Sequence, residues 1–391
     1  MAIQASQLEP TMTAALHVWI LDPFHTGSHR AWSCGVSAAL ETAGHRVALH
    51  TLPGRHWKWR MHGAAAVWAD MMTDNDVPDV VITTDMCDVA QLRGRMPSSW
   101  SKVKVVTMFH ENQLTFPWSP DDPDATNGRD NTYGYINASS GLASDALWFN
   151  SNHHMNAFLG ATEAFMKRMP KPQLLDVGAR LAAKSEVVHL GMTLANWPSP
   201  SRALDDLSHV DTPKFLWNHR WAWDKGTDAW MAFVDGMLKQ NLPGEFIVLG
   251  ESFGRKPEGW EALKDQMGAR CLHWGYAESR DEYVRWLWES HIAPVHPKQE
   301  YFGLAVVEAM RCRTLPWVPK EHAYVDTMPV GHPFVPAPSW LDAVKEAKWK
   351  SWDVPLEKYE ARALEFDWKV VGPACARRLE QLCSDSVAQG G

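Results

Sequence analysis

Short apolar stretches alternate with longer stretches in which apolar residues recur at helical spacing, along nearly the whole chain. A short apolar stretch predicts a buried strand, and helical spacing predicts a helix that packs on one face. The predicted strands are 15–21, 46–52, 80–84, 103–109, 146–150 and 186–190 in the first half, and 215–218, 246–250, 271–274, 292–295 and 315–318 in the second. The predicted helices include 28–43, 61–73, 133–144, 153–169 and 227–239. Strands and helices that alternate in this way form parallel sheets, so the predicted fold class is α/β.

The length of 391 residues predicts two domains rather than one core. Prolines and polar residues between 197 and 213 mark a linker, so we expect a first domain over residues 1–196 and a second over 197–391. The segment 119–128 is rich in proline, aspartate and glycine, which predicts a mobile loop.

Two glutamates, Glu300 and Glu308, flank a predicted turn from strand to helix at Phe302-Gly303. The turn places Glu300 beside the helix N-terminus and Glu308 about two turns into the helix. A helix N-terminus attracts anions such as a diphosphate, and a carboxylate accepts hydrogen bonds from vicinal sugar hydroxyls. These are features of a nucleotide-sugar site, although such a pair on its own is more often a solvated helix residue and a loop residue.

A second pair, Arg220 and Lys225, lies on the loop between the predicted strand 215–218 and the predicted helix 227–239. Open α/β sheets bind ligands at the carboxyl ends of their strands, where this loop lies. An arginine fork and a lysine point charge together can neutralise a leaving diphosphate without a metal. As a pair on such a loop, the two cations favour a functional role over a solvated surface.

Loops of the first half carry further candidates. Gly27 and Ser28 open a helix, where backbone N–H groups can approach a phosphate or a sugar, although a plain tight turn is the more common explanation. His110 ends an apolar strand, and its imidazole can donate a hydrogen bond to a sugar hydroxyl; a structural role at the strand end stays open. Glu111 and Asn112, beside it, add hydrogen-bond acceptors and donors.

Composition narrows the classes of function. No apolar run is long enough to span a membrane, and the N-terminus lacks the pattern of a signal peptide. The six cysteines form no C-x-x-C pair, so neither a metal site nor a disulfide framework is indicated, and we expect a reducing cytoplasm. The formal charge of −8 argues against a protein that binds nucleic acid through its overall charge. Any nucleic acid would therefore be held by local positive patches.

The second half resembles the nucleotide-binding domain of retaining glycosyltransferases of family 4, which have the GT-B architecture of two facing Rossmann-like domains with parallel sheets. The family's E-x7-E motif is matched by Glu300 and Glu308, and its Arg-x4-Lys pair by Arg220 and Lys225. One departure is Arg311-Cys-Arg-Thr314, where the family has a small residue and glycine, and it puts the helix C-terminal cap in doubt.

The first half resembles one branch, the tRNA-queuosine α-mannosyltransferases, in four motifs that occur in order, and residues 300–319 resemble it as well. The four motifs cover residues 19–29, 51–60, 109–117 and 133–135. The resemblance implies transfer of mannose from GDP-mannose to queuosine in tRNA, with retention, without a metal or cofactor, and with a diphosphate oxygen taking the acceptor proton. It also implies that the last helix, at about 361–382, crosses back onto the first domain.

Site residues follow from the resemblance and from the loops described above. The expected catalytic residues are His110, Glu300, Arg220 and Lys225. The expected donor-binding residues are Gly27, Ser28, Arg220, Lys225, Gly250, Tyr301, Phe302, Gly303, Leu304 and Glu308. The expected acceptor-binding residues are Arg55, Trp57, Lys58, Trp59, Arg60, Glu111 and Asn112.

Residues 55–60 interleave cations with two indoles on the predicted loop after the second strand, which suits phosphate contact and base stacking. The same composition fits a loop whose tryptophans pack under the second domain, and chemistry alone does not separate the two explanations. The resemblance favours acceptor recognition. Two other functions stay open: a GT-B hexosyltransferase that acts on a lipid or small glycoside, and a catalytically silent tRNA-binding protein. The intact motif residues argue against the silent protein, and the sequence does not fix the donor base, the sugar or the tRNA.

Overall fold

The structure is a computed structural model that describes residues 14–119, 122–126, 131–174, 176–200, 206–251 and 256–388. Two parallel sheets with helices on their faces make up the described chain. The first sheet consists of β1 (His17–His25), β2 (Arg46–Pro53), β3 (Val80–Thr84), β4 (Lys104–Phe109), β5 (Ala146–Phe149) and β6 (Ser185–Val187). The second consists of β7 (Lys214–Trp217), β8 (Glu245–Leu249), β9 (Cys271–Gly275), β10 (Ile292–Pro294) and β11 (Leu315–Trp317).

Helices connect the strands in both halves. Those of the first half are α1 (Gly27–Thr42), α2 (Trp57–Ala69), α3 (Val89–Arg95), α4 (Pro123–Thr126), α5 (Asn131–Ala143), α6 (Asn152–Lys167) and α7 (Val177–Ala182). Those that follow are α8 (Thr227–Lys239), α9 (Trp260–Met267), α10 (Arg280–Glu289), α11 (Leu304–Arg311), α12 (Tyr324–Thr327), α13 (Trp340–Lys345), α14 (Leu356–Leu364) and α15 (Trp368–Ala388).

The strand order is β2-β1-β3-β4-β5-β6 in the first sheet and β11-β10-β7-β8-β9 in the second. Each predicted strand is present, and the α/β class is confirmed. Parallel strands with helices on both faces of the sheet have nearly continuous apolar sequences, because both of their faces are buried. In β3, for example, all five residues are buried. The loops and helix starts after β1, β2 and β4, and after β7, β8 and β10, carry the candidate residues at the carboxyl ends of the two sheets.

Some local predictions are wrong. Residues 57–60 are not part of a loop but the first turn of α2, because His56 takes a left-handed conformation and the helix begins immediately after it. The terminal stretch predicted at about 361–382 is divided between α14 and α15. Within the predicted mobile loop, residues 123–126 form α4, while 120, 121, 127 and 128 lie outside the described residues.

The C-terminal end of α11 shows what replaces the expected glycine. Arg313 itself takes the left-handed conformation, with φ +58°. Its Nε donates to Glu360 Oε2 of α14 at 2.8 Å, and Arg311 Nη1 donates to Glu360 Oε1 at 2.7 Å. The hydrogen bonds of Arg311 and Arg313 to Glu360 therefore hold a turn that glycine would adopt without strain.

The last helix, α15, packs against α1. The indole of Trp368 lies against Gly35 of α1 and against Gly191, where an added Cβ would come within 2.2 and 2.3 Å of ring atoms. Further along α15, Arg378 Nε donates to Glu186 Oε2 at 2.7 Å. The end of the chain thus contacts the first half, while the domain boundary at residue 196 stays a prediction.

The contact of Trp368 with Gly35 gives a testable consequence. We expect Gly35→Ala to lower the free energy of unfolding by about 1–3 kcal/mol, because the new methyl group would overlap the indole. Gly160→Ala in α6 is the matched control, since no atom of the described residues lies within 4 Å of its Cβ position. That change should stabilise the protein by up to about 1 kcal/mol through helix propensity. Urea denaturation measures the free energy of unfolding of both variants. Equal stabilisation of the two would contradict close packing of Trp368 on α1.

Candidate active site

The loop that carries Arg220 and Lys225 is fixed by tryptophans. Trp217 Nε1 donates to the carbonyl of His219 at 2.8 Å, and Trp221 Nε1 donates to the carbonyl of Leu249 at 3.1 Å. Both indoles pack against Trp260, with ring centroids 5.3 and 5.7 Å away. These bonds hold the loop against the end of β8, so the two cations project from a rigid support.

Two glycines let neighbouring loops approach this support. Gly226 has φ +79°, and a Cβ there would lie 2.0 Å from the carbonyl oxygen of His296. Gly250 has φ +94°, and a Cβ there would lie 2.5 Å from the carbonyl oxygen of His219. Side chains at either position would separate the β7, β8 and β10 loops. This close approach explains why position 250 requires glycine. The expected contact of Gly250 with the donor stays a prediction.

The cations form a network with two carboxylates. Arg220 Nη2 lies 2.9 Å from Asp224 Oδ2, and Lys225 Nζ lies 3.5 Å from the same oxygen and 3.2 Å from Glu300 Oε2. Burial opposes the charged form of Lys225, but Glu300 and Asp224 raise its pKa above the ordinary value. The side chain of Arg220 is 49% exposed and that of Lys225 is 17% exposed, so Arg220 is the more accessible to an anionic ligand. Sequence reasoning missed Asp224, although it directly precedes Lys225.

Glu300 both pairs with Lys225 and shapes the turn into α11. Its Oε1 accepts the backbone N–H groups of Phe302 at 3.4 Å and Gly303 at 3.1 Å. Burial favours the neutral carboxyl, but Lys225 and His219 keep the pKa of Glu300 below its ordinary value. Glu300 is therefore ionised at neutral pH and held in place from two sides.

Tyr301 connects the two halves of the chain. Its hydroxyl lies 2.8 Å from Thr115 Oγ1 and 3.4 Å from the carbonyl oxygen of Asn112. Its ring stacks on His154 with centroids 4.1 Å apart, and its carbonyl accepts the hydroxyl of Ser151 at 2.7 Å. The side chain of Tyr301 is thus engaged between the two sheets.

The remaining predicted donor residues of this loop differ in their surroundings. Phe302 packs edge-on against Phe366, and Leu304 is half-buried at the start of α11. Gly303 has φ +90° and precedes the first residue of the helix, as the sequence-predicted turn requires.

Glu308 lies in a network that sequence reasoning missed. Its Oε1 accepts Arg280 Nη2 at 2.8 Å, and its Oε2 accepts the hydroxyl of Tyr283 at 2.6 Å. Asn218 Nδ2 donates to the same tyrosine at 3.2 Å, and the Arg280 guanidinium lies 4.3 Å from the ring centroid of Trp197. Each carboxylate oxygen retains a second lone pair, so Glu308 can still accept a hydroxyl from a ribose.

The first half contributes a helix N-terminus and a stacked pair of histidines. Gly27 and Ser28 are exposed at the start of α1, and no side chain of the described residues caps the helix there. His29 stacks on His110 with centroids 4.4 Å apart. Burial lowers the pKa of His29 to about 4, and burial together with the neighbouring imidazoles lowers that of His110 well below its ordinary value. Both rings are neutral at neutral pH, and His110 Nε2 is buried without a hydrogen-bond partner in the described structure.

A buried carboxyl organises the loop after β4. Asp85, which sequence reasoning missed although it directly follows the apolar strand β3, accepts the backbone N–H of His110 at 2.8 Å. Burial and the nearby charge of Glu111 raise the pKa of Asp85 well above its ordinary value. Asn112 Oδ1 accepts the backbone N–H of Thr115 at 3.0 Å, while its Nδ2 is buried and has no partner among the described groups.

Glu111 faces the cations of the second half. Burial raises its pKa, and the charges of Arg220 and Lys225 oppose that rise. One of its oxygens, Oε1, accepts the side-chain amide of Gln113 at 2.9 Å. The predicted acceptor residue Glu111 therefore lies within electrostatic reach of the predicted donor residues Arg220 and Lys225.

The predicted cationic patch is only partly open. Lys58 Nζ lies 2.6 Å from Asp122 Oδ1 and 2.5 Å from Asp124 Oδ2, and within 6 Å of the ring centroids of Trp57, Trp118 and Tyr133. This internal pairing leaves Lys58 without the free charge that a phosphate contact needs. Trp57 packs on Tyr133 within the first half, so it does not lie under the second.

The outer residues of the same patch remain accessible. Trp59 is 65% exposed and Arg55 is exposed as well. Among the described residues, the Arg60 guanidinium has one hydrogen bond, from its Nε to the carbonyl of Pro53 at 3.2 Å. Arg55, Trp59 and Arg60 are therefore the members of this segment that a nucleic acid can reach.

Two further properties concern the described residues only. They contain no group of three or more histidine, cysteine, aspartate or glutamate side chains that could hold a metal ion. None of their helices is both long enough and apolar enough to cross a membrane.

Comparisons with known proteins agree with these features. Residues 17–192 match the family model described as tRNA-queuosine alpha-mannosyltransferase N-terminal. A tRNA-queuosine alpha-mannosyltransferase of Drosophila melanogaster is 26% identical over 318 residues, which covers 80% of this chain and 82% of that protein. The resemblance predicted from the sequence motifs is confirmed.

Solved structures confirm the GT-B architecture. Sucrose-phosphate synthase from Thermosynechococcus elongatus superposes with a TM-score of 0.68 at 15% identity, covering 95% of this chain and 100% of that one. The catalytic domain of starch synthase IV from Arabidopsis thaliana, bound to ADP and acarbose, gives a TM-score of 0.65 at 14% identity, covering 96% of this chain and 100% of that one. At these identities the likeness concerns the fold alone.

The network around Lys225 predicts how this loop responds to removal of charge. Arg220→Ala and Lys225→Ala should each weaken binding of a nucleoside diphosphate by about tenfold to a hundredfold, because each removes a charge-assisted hydrogen bond. Lys239→Ala is the control, since Lys239 is an exposed residue of α8 that pairs only with Asp235 among the described groups. Titration calorimetry with GDP and UDP measures the effect. Unchanged affinity in both site variants, with the fold intact, would exclude this loop as the diphosphate site.

Proposed function

We propose that this chain, which the comparisons identify as a glycosyltransferase, transfers mannose from GDP-mannose to queuosine in tRNA with retention of the anomeric configuration. The observation that carries the proposal is the family match over residues 17–192, which lies in the half that forms the acceptor side of a GT-B fold. One relative, from Drosophila melanogaster, is a tRNA-queuosine alpha-mannosyltransferase. A tRNA substrate makes the cytoplasm the expected location.

The donor would lie on the wall formed by the second half. Arg220 has an accessible guanidinium and Lys225 an ammonium group beside it, and together they suit two phosphates. Glu308 lies on α11 and can accept ribose hydroxyls through the free lone pairs of its oxygens. Fixed cations that face the leaving group stabilise the negative charge that develops there, which is the role a metal ion has in other transferases. We therefore propose that transfer needs neither a metal nor a cofactor.

The first half would hold the acceptor. The chain has a formal charge of −8, so attraction of tRNA depends on local groups such as Arg55 and Arg60. Trp59, between them in sequence, presents an exposed indole on which an unpaired base can stack. Glu111 is half-buried and lies within electrostatic reach of Arg220 and Lys225, so it could contact an acceptor hydroxyl near the proposed diphosphate site.

A direct transfer assay tests the proposal. Purified protein is incubated with tRNA from cells that make queuosine and, as the control, with tRNA from cells that do not. GDP-mannose, UDP-glucose and UDP-galactose are supplied separately, and the digested nucleosides are analysed by mass spectrometry. We expect one hexose on queuosine with GDP-mannose alone, at a rate that EDTA does not change. Transfer only from a UDP-sugar, transfer to tRNA without queuosine, or loss of activity in EDTA that Mg²⁺ restores would each contradict a part of the proposal.

The accessible residues of α2 and the loop before it predict how tRNA binding responds to mutation. Arg55→Ala with Arg60→Ala should raise KM for tRNA and make the slope of log K against log salt shallower by about 1 to 2, because each arginine that binds a phosphate adds about one unit to that slope. Donor affinity should stay unchanged. The control is Arg285→Ala, because Arg285 is a half-exposed arginine of α10 that already pairs with Glu289.

Three further outcomes separate the members of the patch. Lys58→Met should affect tRNA binding less than the double variant, since Asp122 and Asp124 already neutralise Lys58. Trp59→Ala should weaken tRNA binding by about 1–3 kcal/mol if one base stacks on it. An unchanged salt slope in the double variant would assign tRNA binding to another surface.

A further inference from the structure

We propose that Arg280 is a positioning residue that orients the carboxylate of Glu308 to accept both hydroxyls of a donor ribose. The proposal rests on the proposed function, which places the ribose of the nucleotide sugar at Glu308. It deepens that function by naming what makes the site selective. Donors built on a ribonucleotide bind well to such a carboxylate, and donors built on a 2′-deoxyribonucleotide bind weakly.

Two side chains from one face of a neighbouring helix donate to Glu308. Arg280 and Tyr283 lie three residues apart at the start of α10, so their side chains are neighbours on that helix. Arg280 Nη2 donates to Glu308 Oε1 at 2.8 Å, and the hydroxyl of Tyr283 donates to Oε2 at 2.6 Å. Because each oxygen has its own donor, the carboxylate cannot rotate about its last bond without breaking a hydrogen bond.

A carboxylate fixed in this way has the pattern of acceptors that a vicinal diol requires. It offers about four lone-pair positions, and the two protein donors use one on each oxygen. One position on each oxygen remains, and 17% of the Glu308 side chain is exposed. The two ribose hydroxyls lie on adjacent carbons and on the same face of the ring, so they can donate together to the two oxygens. A 2′-deoxyribose would fill only one of these positions.

Tyr283 is itself held so that its hydroxyl donates to Glu308. Asn218, which follows β7, donates from Nδ2 to the Tyr283 oxygen at 3.2 Å and to the carbonyl of Ala305 at 2.8 Å. The phenol oxygen thus accepts one hydrogen bond and directs its own proton to the carboxylate. Burial and the charge of Glu308 raise the pKa of Tyr283 well above its ordinary value, so the hydroxyl stays protonated at neutral pH.

Arg280 is held by aromatic rings, although its side chain is 55% exposed. Its guanidinium carbon lies 4.3 Å from the ring centroid of Trp197 and 5.0 Å from that of Tyr283. A guanidinium over an aromatic ring gains a cation–π interaction and keeps its N–H groups free to donate. Trp197 is mostly buried, and its carbonyl accepts Arg311 Nη2 at 3.4 Å. Since Arg311 and Glu308 both belong to α11, the ring that supports Arg280 is bonded to the helix that carries the carboxylate.

A different explanation of the ion pair predicts the opposite result. An arginine that only neutralised Glu308 would compete with the ribose, and its removal would increase the affinity for a nucleotide. A positioning arginine leaves a lone pair free on Oε1 while it fixes the direction of that oxygen, so its removal decreases the affinity. The sign of the change therefore separates the two roles.

The test measures binding of GDP and 2′-deoxy-GDP by titration calorimetry, with UDP and 2′-deoxy-UDP as a second pair. The wild type should bind the ribonucleotide about tenfold to a hundredfold more tightly, because the deoxy form lacks a hydrogen bond to a charged group. Arg280→Ala should weaken GDP binding by about fivefold or more and change 2′-deoxy-GDP binding much less, so the preference falls. Arg280→Lys keeps the charge without the planar group, and it should lose the preference as well.

A matched control lies on the same helix. The guanidinium carbon of Arg285 lies 4.3 Å from the ring centroid of Trp286, and its Nη1 lies 2.8 Å from Glu289 Oε1. Arg285 thus has the same kinds of contact as Arg280 but with a different carboxylate. Arg285→Ala should leave the affinities for both nucleotides of a pair as in the wild type.

A second variant, Tyr283→Phe, removes the other donor to Glu308 and should also lower the preference for the ribonucleotide. Tighter GDP binding in Arg280→Ala, or an unchanged preference in both Arg280→Ala and Tyr283→Phe, would overturn the inference. The proposed function fails separately. If UDP binds and GDP does not, the proposed donor is wrong, and the UDP pair still decides the role of Arg280. A wild type that binds no nucleotide of either pair would overturn both proposals.

Discussion

Lys225 is mostly buried, so the fold must keep carboxylates within reach of its ammonium group. Glu300 and Asp224 provide them, and one comes from a different loop than Lys225 itself. The two loops can meet only because Gly226 has no side chain where it passes the carbonyl of His296. The ion pair, the shape of the turn before α11 and the exposure of Arg220 all follow from this approach. A site of fixed cations is thereby assembled before any ligand binds, which is what preorganised stabilisation of a leaving group requires.

The two halves are coupled through the same loops. Tyr301 bonds to the loop after β4, while its neighbour Glu300 holds Lys225. A change in the spacing of the sheets would therefore alter the distance between Glu111 and the cations. Tyr301 is one of several links between the halves, since Ser151 donates to its carbonyl and Asp367 accepts the backbone N–H groups of Leu194 and Ala195.

Much of the fold could be predicted because a parallel strand buried on both faces has a distinctive apolar pattern, as in residues 80–84. The loops that carry Arg220, Lys225, Glu300 and Glu308 could be placed because they follow such strands. Partners that come from distant segments could not be foreseen, as with Arg280 on Glu308, since no local pattern relates them. The charge of Lys58 was misjudged for the same reason: the aspartates that neutralise it lie more than sixty positions away.

The contact of Trp368 with Gly35 and Gly191 has a consequence for how the protein is made. Helix α1 leaves the ribosome well before α15, because the other described helices lie between them in the chain. Until α15 emerges, the surface of α1 around Gly35 stays uncovered, and Glu186 lacks its arginine partner. The first sheet can therefore form before α15 is made, but its packing is completed only after α15 has emerged.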